Sequence, residues 1–134
     1  MNDRLRFRVW DKAENKYNGF SFHLAMSGEL DRLSVDGDLL EADEERFVIE
    51  QCTGLRDKNG VLIYEGDVVL CGILGDRGHT VEAVVSCVYA FDDTLEWRCM
   101  YIDDTGVSES KGQSLHAKLC KVIGNIHEME MKDE

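Results

Sequence analysis

The sequence predicts a mainly β protein of the α+β class, a small SH3-like barrel with an N-terminal β-hairpin appendage. Short runs of β-branched and aromatic residues are separated by turns rich in Gly, Asn and Asp, and several runs alternate apolar with polar residues. The chain has 134 residues with 43% hydrophobic content, which is enough for one core. We therefore expect residues 1–46 to form the hairpin and an acidic segment, and residues 47–134 to form the barrel.

In the predicted first strand, three apolar residues alternate with three arginines. A polar turn over residues 11–16 leads to the returning strand over residues 17–22. Interleaved cations and rings are typical of proteins that bind single-stranded nucleic acid. Strand alternation places the two groups on opposite faces, so a protein interface or pairing with acids of residues 29–50 is an equal alternative. The candidate interaction residues are Arg4, Arg6, Arg8, Trp10 and Tyr17.

Residues 23–45 have a weak pattern that is compatible with a short helix or with irregular strands. Acidic residues are concentrated nearby: residues 29–50 contain nine acidic and two basic residues, a net charge of −7 out of −12 for the whole chain. So many like charges favour a solvated surface.

The pattern of the central block, residues 51–70, predicts a turn, a strand, a second turn and a second strand. The turns are at Asn59-Gly60 and Gly66-Asp67, and the apolar runs 61–64 and 68–70 are the strands. Gly66 lets the second strand begin without a clash. A strand over residues 46–53 enters this block. The turn residues are Asn59, Gly60, Gly66 and Asp67.

Beyond the block, a glycine-rich loop over residues 72–79 leads to a long predicted strand and its partner. The two strands are 80–90 and 95–102, joined by a turn at 91–94. After them we expect a turn at 103–106, a polar loop to 113, a short element at 114–119 and a strand at 121–126. A barrel of this kind buries alternate residues. The expected inward-facing residues are Ile63, Val68, Val85, Trp97, Tyr101 and Ile123.

The five cysteines lack any C-x-x-C pair, so their spacing excludes a zinc ribbon. An odd number of cysteines without a secretory leader indicates a reducing cytoplasm, where each serves as a reduced, small core residue. No apolar run reaches the length of about 18 residues that a membrane span needs.

No catalytic, cofactor-binding or metal-ligating residues are predicted. The glycine-rich loop lacks the G-K-[ST] of a phosphate-binding loop, and the four histidines are scattered without helical ligand spacing. Paired aspartates fall in predicted turns, where they bond neighbouring backbone amides. These observations predict that the chain is not an enzyme.

The net charge of −12 and a pI near 4.7 argue against binding to duplex DNA. Only the hairpin arginines would offer local positive charge to a phosphate backbone. The composition therefore favours a protein partner.

Three segments carry a resemblance to a known family: residues 6–12, the central block and residues 122–128. In the central block, Thr-Gly-Leu-Arg-Asp-Lys-Asn-Gly is followed by Ile-Tyr-Glu-Gly-Asp. In this order the segments resemble the YopX family of phage and prophage proteins, which has no established activity. Cys52 departs from the aromatic residue usual at its position. The resemblance implies a phage setting and the cytoplasm of a bacterial host cell.

The leading functional hypothesis is a non-enzymatic phage accessory protein that binds a host or phage protein. Its acidic surface would imitate a phosphate array to a DNA-binding protein. The alternatives are an SH3-like or OB-like nucleic-acid module that uses the hairpin arginines, and a small hydrolase whose site is assembled only in the fold. Self-association is also expected, because the N-terminal hairpin and the weakly patterned middle segment leave apolar strand surface that a single small barrel cannot fully cover.

Overall fold

The structure is a computed structural model that describes residues 6–17, 22–24, 30–33, 39–41, 45–73, 78–89 and 95–132. The chain divides into two compact units: a hairpin unit, Phe7–Glu50, and a barrel unit, Gln51–Glu134 with Met1–Arg6. The strand Phe47–Arg56 contributes residues to both units, which divide between Glu50 and Gln51. The described residues form twelve strands and one short α-helix, which confirms the mainly β class.

The hairpin unit is built from short antiparallel strands. They are β1 (Phe7–Asp11), β2 (Lys16–Tyr17), β3 (Phe22–Leu24), β4 (Leu30–Leu33), β5 (Leu39–Glu41) and the first part of β6 (Phe47–Arg56). Strands β1 and β2 pair with Trp10 opposite Tyr17, which confirms the predicted hairpin. Its small core buries Val9, Leu30 and Phe47.

The weakly patterned middle of this unit contains strands. Strand β4 pairs with β3 on one side and with β5 on the other, so the three form a separate antiparallel sheet. Of the two alternatives left open by the sequence, irregular strands are the one found in the described residues 22–24, 30–33 and 39–41. Short ladders of this length leave few fixed side-chain positions, which explains the weak alternation.

The described part of the barrel unit contains the second part of β6, a short 3₁₀ helix at Ala117–Leu119, six further strands and one α-helix. The strands and the α-helix are β7 (Leu62–Tyr64), β8 (Asp67–Gly72), β9 (Thr80–Tyr89), β10 (Leu95–Asp103), β11 (Gly106–Ser114), β12 (Cys120–Asn125) and α1 (Ile126–Lys132). Five of the strands form one antiparallel sheet in the order β11-β10-β9-β8-β12. Strand β7 pairs with β6, with Cys52 opposite Tyr64.

The five-stranded sheet curls strongly around its core. Strands β10 and β12 are three places apart, which in a flat sheet would separate them by about 14 Å. The sulfur atoms of Cys99 on β10 and Cys120 on β12 nevertheless lie within 4.8 Å of each other. Only a curled sheet allows this, and its concave face holds the largest buried cluster. That cluster comprises Ile63, Val69, Cys71, Ala83, Val85, Cys99 and Cys120.

The inward-facing positions expected from the sequence agree with the structure except for two. Ile63 and Val85 are buried in the main cluster, and Trp97 and Tyr101 pack against it. Val68 is buried too, but it lies on the face of β8 opposite to that of Val69, which belongs to the cluster. Ile123, by contrast, is 46% exposed, so this prediction is wrong. The pairing of β12 with β8 slips at a bulge, with Val122 opposite Val69 but Gly124 opposite Val68, which leaves Ile123 as the extra residue.

The C-terminal end differs from the prediction at one strand and contains one unpredicted helix. The polar stretch before Gln113 is strand β11, not a loop, because its backbone pairs with β10 at the sheet edge, where polar side chains are tolerated. The last strand is followed by α1, which was not predicted from the sequence. Its start is marked by Asn125, whose side-chain oxygen accepts a hydrogen bond from the Glu128 amide at 3.0 Å.

Several predicted features lie outside the described residues. These are Arg4, residues 18–21 of the returning strand, residues 25–29, 34–38 and 42–44 in and beside the acidic segment, most of the glycine-rich loop (74–77), and the turn at 91–94. In the described ranges, no helix has the length and apolar character needed to cross a membrane.

Candidate functional sites

The candidate interaction residues of the hairpin unit surround a buried carboxylate of the same unit. Arg8 Nε donates a hydrogen bond to Glu50 Oε1 at 2.8 Å, and the Tyr17 hydroxyl donates to the same oxygen at 2.8 Å. The Arg8 guanidinium also stacks 4.3 Å from the centre of the Tyr17 ring. Glu50 is only 3% exposed, so Arg8 supplies the charge that stabilises it.

Trp10 extends the same cluster inward. Its ring meets Tyr17 edge-on, with ring centroids 4.9 Å apart, and the residue is 5% exposed. Arg6 lies in the barrel unit and is exposed, with its carbonyl oxygen accepting from the Cys52 amide. The structure therefore brings Arg8, Trp10 and Tyr17 together as a packed ion-pair cluster, whereas Arg6 belongs to a different unit.

A second buried ion pair in the hairpin unit was not anticipated from the sequence. Arg46 binds Asp11 through two hydrogen bonds, Nε to Oδ1 at 2.9 Å and Nη2 to Oδ2 at 2.8 Å. Asp11 is fully buried and also accepts from the Ala13 amide at 3.0 Å, which holds the hairpin turn. Arg46 lies in the acidic segment 29–50, which was expected to be a solvated surface, so its pairing with Asp11 was not predicted.

The turn residues of the central block are structural. Gly60 and Gly66 both have φ of +85°, a left-handed conformation that favours glycine. Asp67 is 2% exposed and its Oδ2 accepts from the Tyr64 amide at 2.7 Å. The Asn59 amide donates to Asp57 Oδ1 at 2.9 Å. These residues shape the hairpin that starts the barrel unit.

The barrel unit has a surface depression of about 120 Å³ at the bulge in β12. The extra residue at the bulge, Ile123, forms part of its wall, and α1 closes one side. Two carboxylates, from Glu82 on β9 and Glu128 on α1, contribute to the lining, and both side chains are exposed. The lining residues are Val68, Glu82, Ile123, Gly124, Asn125, Glu128 and Met129.

The depression combines apolar walls with negative charge, which suits a long basic side chain. Lys and Arg bury an aliphatic stem along apolar surface and keep a cationic head near solvent. Val68, Ile123 and Met129 offer contacts to such a stem, and the carboxylates of Glu82 and Glu128 offer a partner to the head. A phosphate or a carboxylate would be repelled there.

The same geometry gives little support to a hydrolase. Glu82 and Glu128 are exposed to water, whereas a general acid and base work best in a site from which water can be excluded. The Cys120 thiol donates a hydrogen bond to the backbone carbonyl oxygen of His116 at 3.4 Å. Because this bond does not involve the His116 imidazole, the two residues are not a nucleophile–base pair.

Comparisons with known proteins agree with the fold. A solved structure, that of protein EF1440 from Enterococcus faecalis, is 28% identical and covers 96% of this chain and 97% of its own, with a TM-score of 0.53. No curated protein matches the chain. The model of the family described as YopX protein matches residues 6–130, which is nearly the whole sequence. The chain therefore belongs to the YopX protein family.

Proposed function

We propose that this protein is a phage-type accessory protein that binds a basic protein partner and does not catalyse a reaction. The depression on the barrel unit receives a Lys or Arg side chain of that partner. The observation that carries the proposal is the pairing of two exposed carboxylates with apolar walls in a recess of about 120 Å³.

The charge of the chain supports the same kind of partner. A net charge of −12 accelerates encounter with a positively charged protein and repels nucleic acid. The acidic residues 29–50 would add to this attraction. Electrostatic steering sets the rate of encounter, while the depression supplies the specific contact.

The hairpin cluster gives no comparable support to a nucleic-acid module. Arg8 is already bonded to Glu50, and Trp10 is 5% exposed, so its ring face is not available for stacking on a base. Freeing Arg8 for a phosphate would leave the Glu50 carboxylate buried without its cation.

Fluorescence anisotropy with defined probes tests the proposal. One probe is a dye-labelled peptide with arginine flanked by leucines, the second has citrulline in place of arginine, and the third is a short duplex DNA. In about 0.15 M salt we expect the arginine peptide to bind and the citrulline peptide to bind more weakly. Duplex DNA should bind no better than it does to an unrelated acidic protein.

A matched pair of variants locates the contact. Glu128→Gln removes one carboxylate from the depression, and Asp104→Asn removes one from an exposed turn elsewhere in the barrel unit. Glu128→Gln should weaken binding about fivefold, the effect of losing roughly 1 kcal/mol, whereas Asp104→Asn should leave binding nearly unchanged. Equal effects of the two variants, or submicromolar binding of DNA, would overturn the proposal.

A further inference from the structure

Three cysteines from three strands converge in the core of the barrel unit. Cys71 lies on β8, Cys99 on β10 and Cys120 on β12, and their sulfur atoms all lie within 4.8 Å of one another. Each of the three residues has 0% exposure. The described residues contain five free cysteines, and Cys52 and Cys87 are not part of this cluster.

The strand register explains the convergence. Cys120 is directly opposite Cys71 in the β12–β8 ladder, so their side chains share the concave face. Cys99 is opposite Val85 on β9 and Gln113 on β11. The curl of the sheet then carries Cys99 over towards the other two. Sequence spacing cannot reveal this, because the three positions belong to different strands.

One polar side chain completes the surroundings of the sulfurs. Gln113 Nε2 donates to the Gly72 carbonyl oxygen at 3.0 Å, and Gln113 Oε1 accepts from the Tyr101 hydroxyl at 2.8 Å. These two bonds fix the orientation of the amide. The second N–H of Nε2 is then directed at Cys71 Sγ, 4.0 Å away. Such a donor favours a thiolate over a thiol and is typical of the outer shell of a metal site.

We propose that Cys71, Cys99 and Cys120 form a three-thiolate binding site for a soft metal ion, with Zn²⁺ as the reference ion and Gln113 as an outer-shell donor. Zinc–sulfur bonds of about 2.3 Å place the sulfurs about 3.8 Å apart in tetrahedral geometry. The observed cluster, with all separations within 4.8 Å, reaches that geometry by side-chain shifts of about 1 Å or less. Oxygen-preferring ions such as Mg²⁺ and Ca²⁺ do not fit this ligand set.

Metal binding at the cluster balances without any redox step. A divalent ion forms three metal–sulfur bonds with Cys71, Cys99 and Cys120, the S–H bonds of the thiols break, and their protons are released to solvent with no change in oxidation state.

The role that follows is structural. The ligands lie on β8, β10 and β12, so an ion bound to all three holds both flanks of the curled sheet together. Because the site is fully buried, the ion is expected to enter when the sheet opens locally, so each metal addition is equilibrated with the protein before measurement.

A cobalt titration tests the site with a defined probe. The full chain is reduced, freed of metal under argon and titrated with Co²⁺, whose thiolate charge-transfer absorption appears only when sulfur binds it. We expect saturation at one equivalent and displacement by Zn²⁺. Cys99→Ser should abolish the absorption. Cys87→Ser, a partly buried cysteine outside the cluster, and Cys52→Ser, a buried one outside it, should retain it. Gln113→Leu should keep the stoichiometry and lower the affinity about 10- to 100-fold.

Thermal unfolding gives a second test, which compares the same protein with and without Zn²⁺ and so does not require Cys99→Ser to fold. Addition of Zn²⁺ to the metal-free protein should raise the Tm of the wild type and of Cys87→Ser. Absence of both the cobalt absorption and the Zn²⁺-dependent rise in the wild type would overturn the proposal. Equal loss of the absorption in Cys87→Ser and Cys99→Ser would also overturn it.

Discussion

Asp57 Oδ2 accepts a hydrogen bond from the Val122 backbone amide at 2.9 Å, although 65 positions separate the two residues in the chain. The other carboxylate oxygen accepts from the amides of Asn59 and Val61, both at 2.9 Å. Asp57 is 5% exposed, so one buried carboxylate shapes the β6–β7 turn and attaches it to strand β12.

Removing this carboxylate should destabilise the barrel unit. Asp57→Ala leaves three backbone amides without their acceptor, and we expect a loss of about 2 to 4 kcal/mol in the free energy of unfolding. Urea unfolding followed by circular dichroism measures it. Asp104→Asn, in an exposed turn, should change the same quantity by less than about 0.5 kcal/mol. A loss from Asp57→Ala as small as that of the control would show that water replaces the carboxylate.

The same residue predicts a response to acid. Burial raises the pKa of Asp57, but hydrogen bonds from the Val122, Val61 and Asn59 amides outweigh it, so the net pKa lies below 3.8. A depressed pKa in the folded state contributes stability above the unfolded value, and this is lost as the pH falls through the folded value. The stability difference between the wild type and Asp57→Asn should therefore be constant from pH 5 to 7 and shrink below about pH 4. A difference that grows on acidification would contradict the assignment.

Gly66 should tolerate no side chain without cost. Its φ of +85° is strained for any residue with a Cβ atom, and its carbonyl oxygen accepts from the Ile126 amide at 2.8 Å. We expect Gly66→Ala to lower the free energy of unfolding by about 1 to 2 kcal/mol. Gly72→Ala is the control, since an added Cβ there would have its nearest neighbour at 3.8 Å. Coincident urea midpoints for wild type and Gly66→Ala would show that the turn relaxes.

The ion pair of Asp11 with Arg46 should matter more than a surface pair. Arg46→Ala leaves a fully buried carboxylate without its bidentate partner, and we expect a loss of about 2 to 3 kcal/mol, reduced from the usual value because Arg46 is partly exposed. Lys16→Ala removes the pair with Glu14, whose side chains are 65% and 47% exposed. That control should cost at most about 0.5 kcal/mol. Similar losses in both variants would place the Arg46 pair among ordinary surface pairs.

The secondary structure was predictable from the sequence where a single turn or a single pair of strands determines it. The hairpin at Trp10 and Tyr17, the turn glycines Gly60 and Gly66, and the paired strands β9 and β10 all follow from alternation and turn chemistry. Edge strand β11 was missed, because backbone pairing can hold a polar sequence in a sheet. Helix α1 carried a signal that was overlooked, an Asn cap followed three residues later by Glu128.

The candidate sites depend on contacts between residues that are far apart in the chain, which a local sequence pattern does not predict. The bulge that exposes Ile123, and so forms the depression, arises from a slip in pairing with β8. Cys71, Cys99 and Cys120 meet only because the sheet curls. Arg8 was predicted as an interaction residue from its pattern, whereas its bond to Glu50 depends on a residue 42 positions away.

Binding at the depression can be observed directly by nuclear magnetic resonance of the isotope-labelled protein during titration with the leucine-flanked arginine peptide. We predict that the largest amide shifts occur at the depression, including Gly124, Asn125 and Met129, and that the citrulline peptide produces much smaller ones. Glu128→Gln should reduce these shifts in proportion to its loss of affinity. Shifts concentrated on Arg8 and Tyr17 of the hairpin unit, or equal shifts from both peptides, would contradict the account.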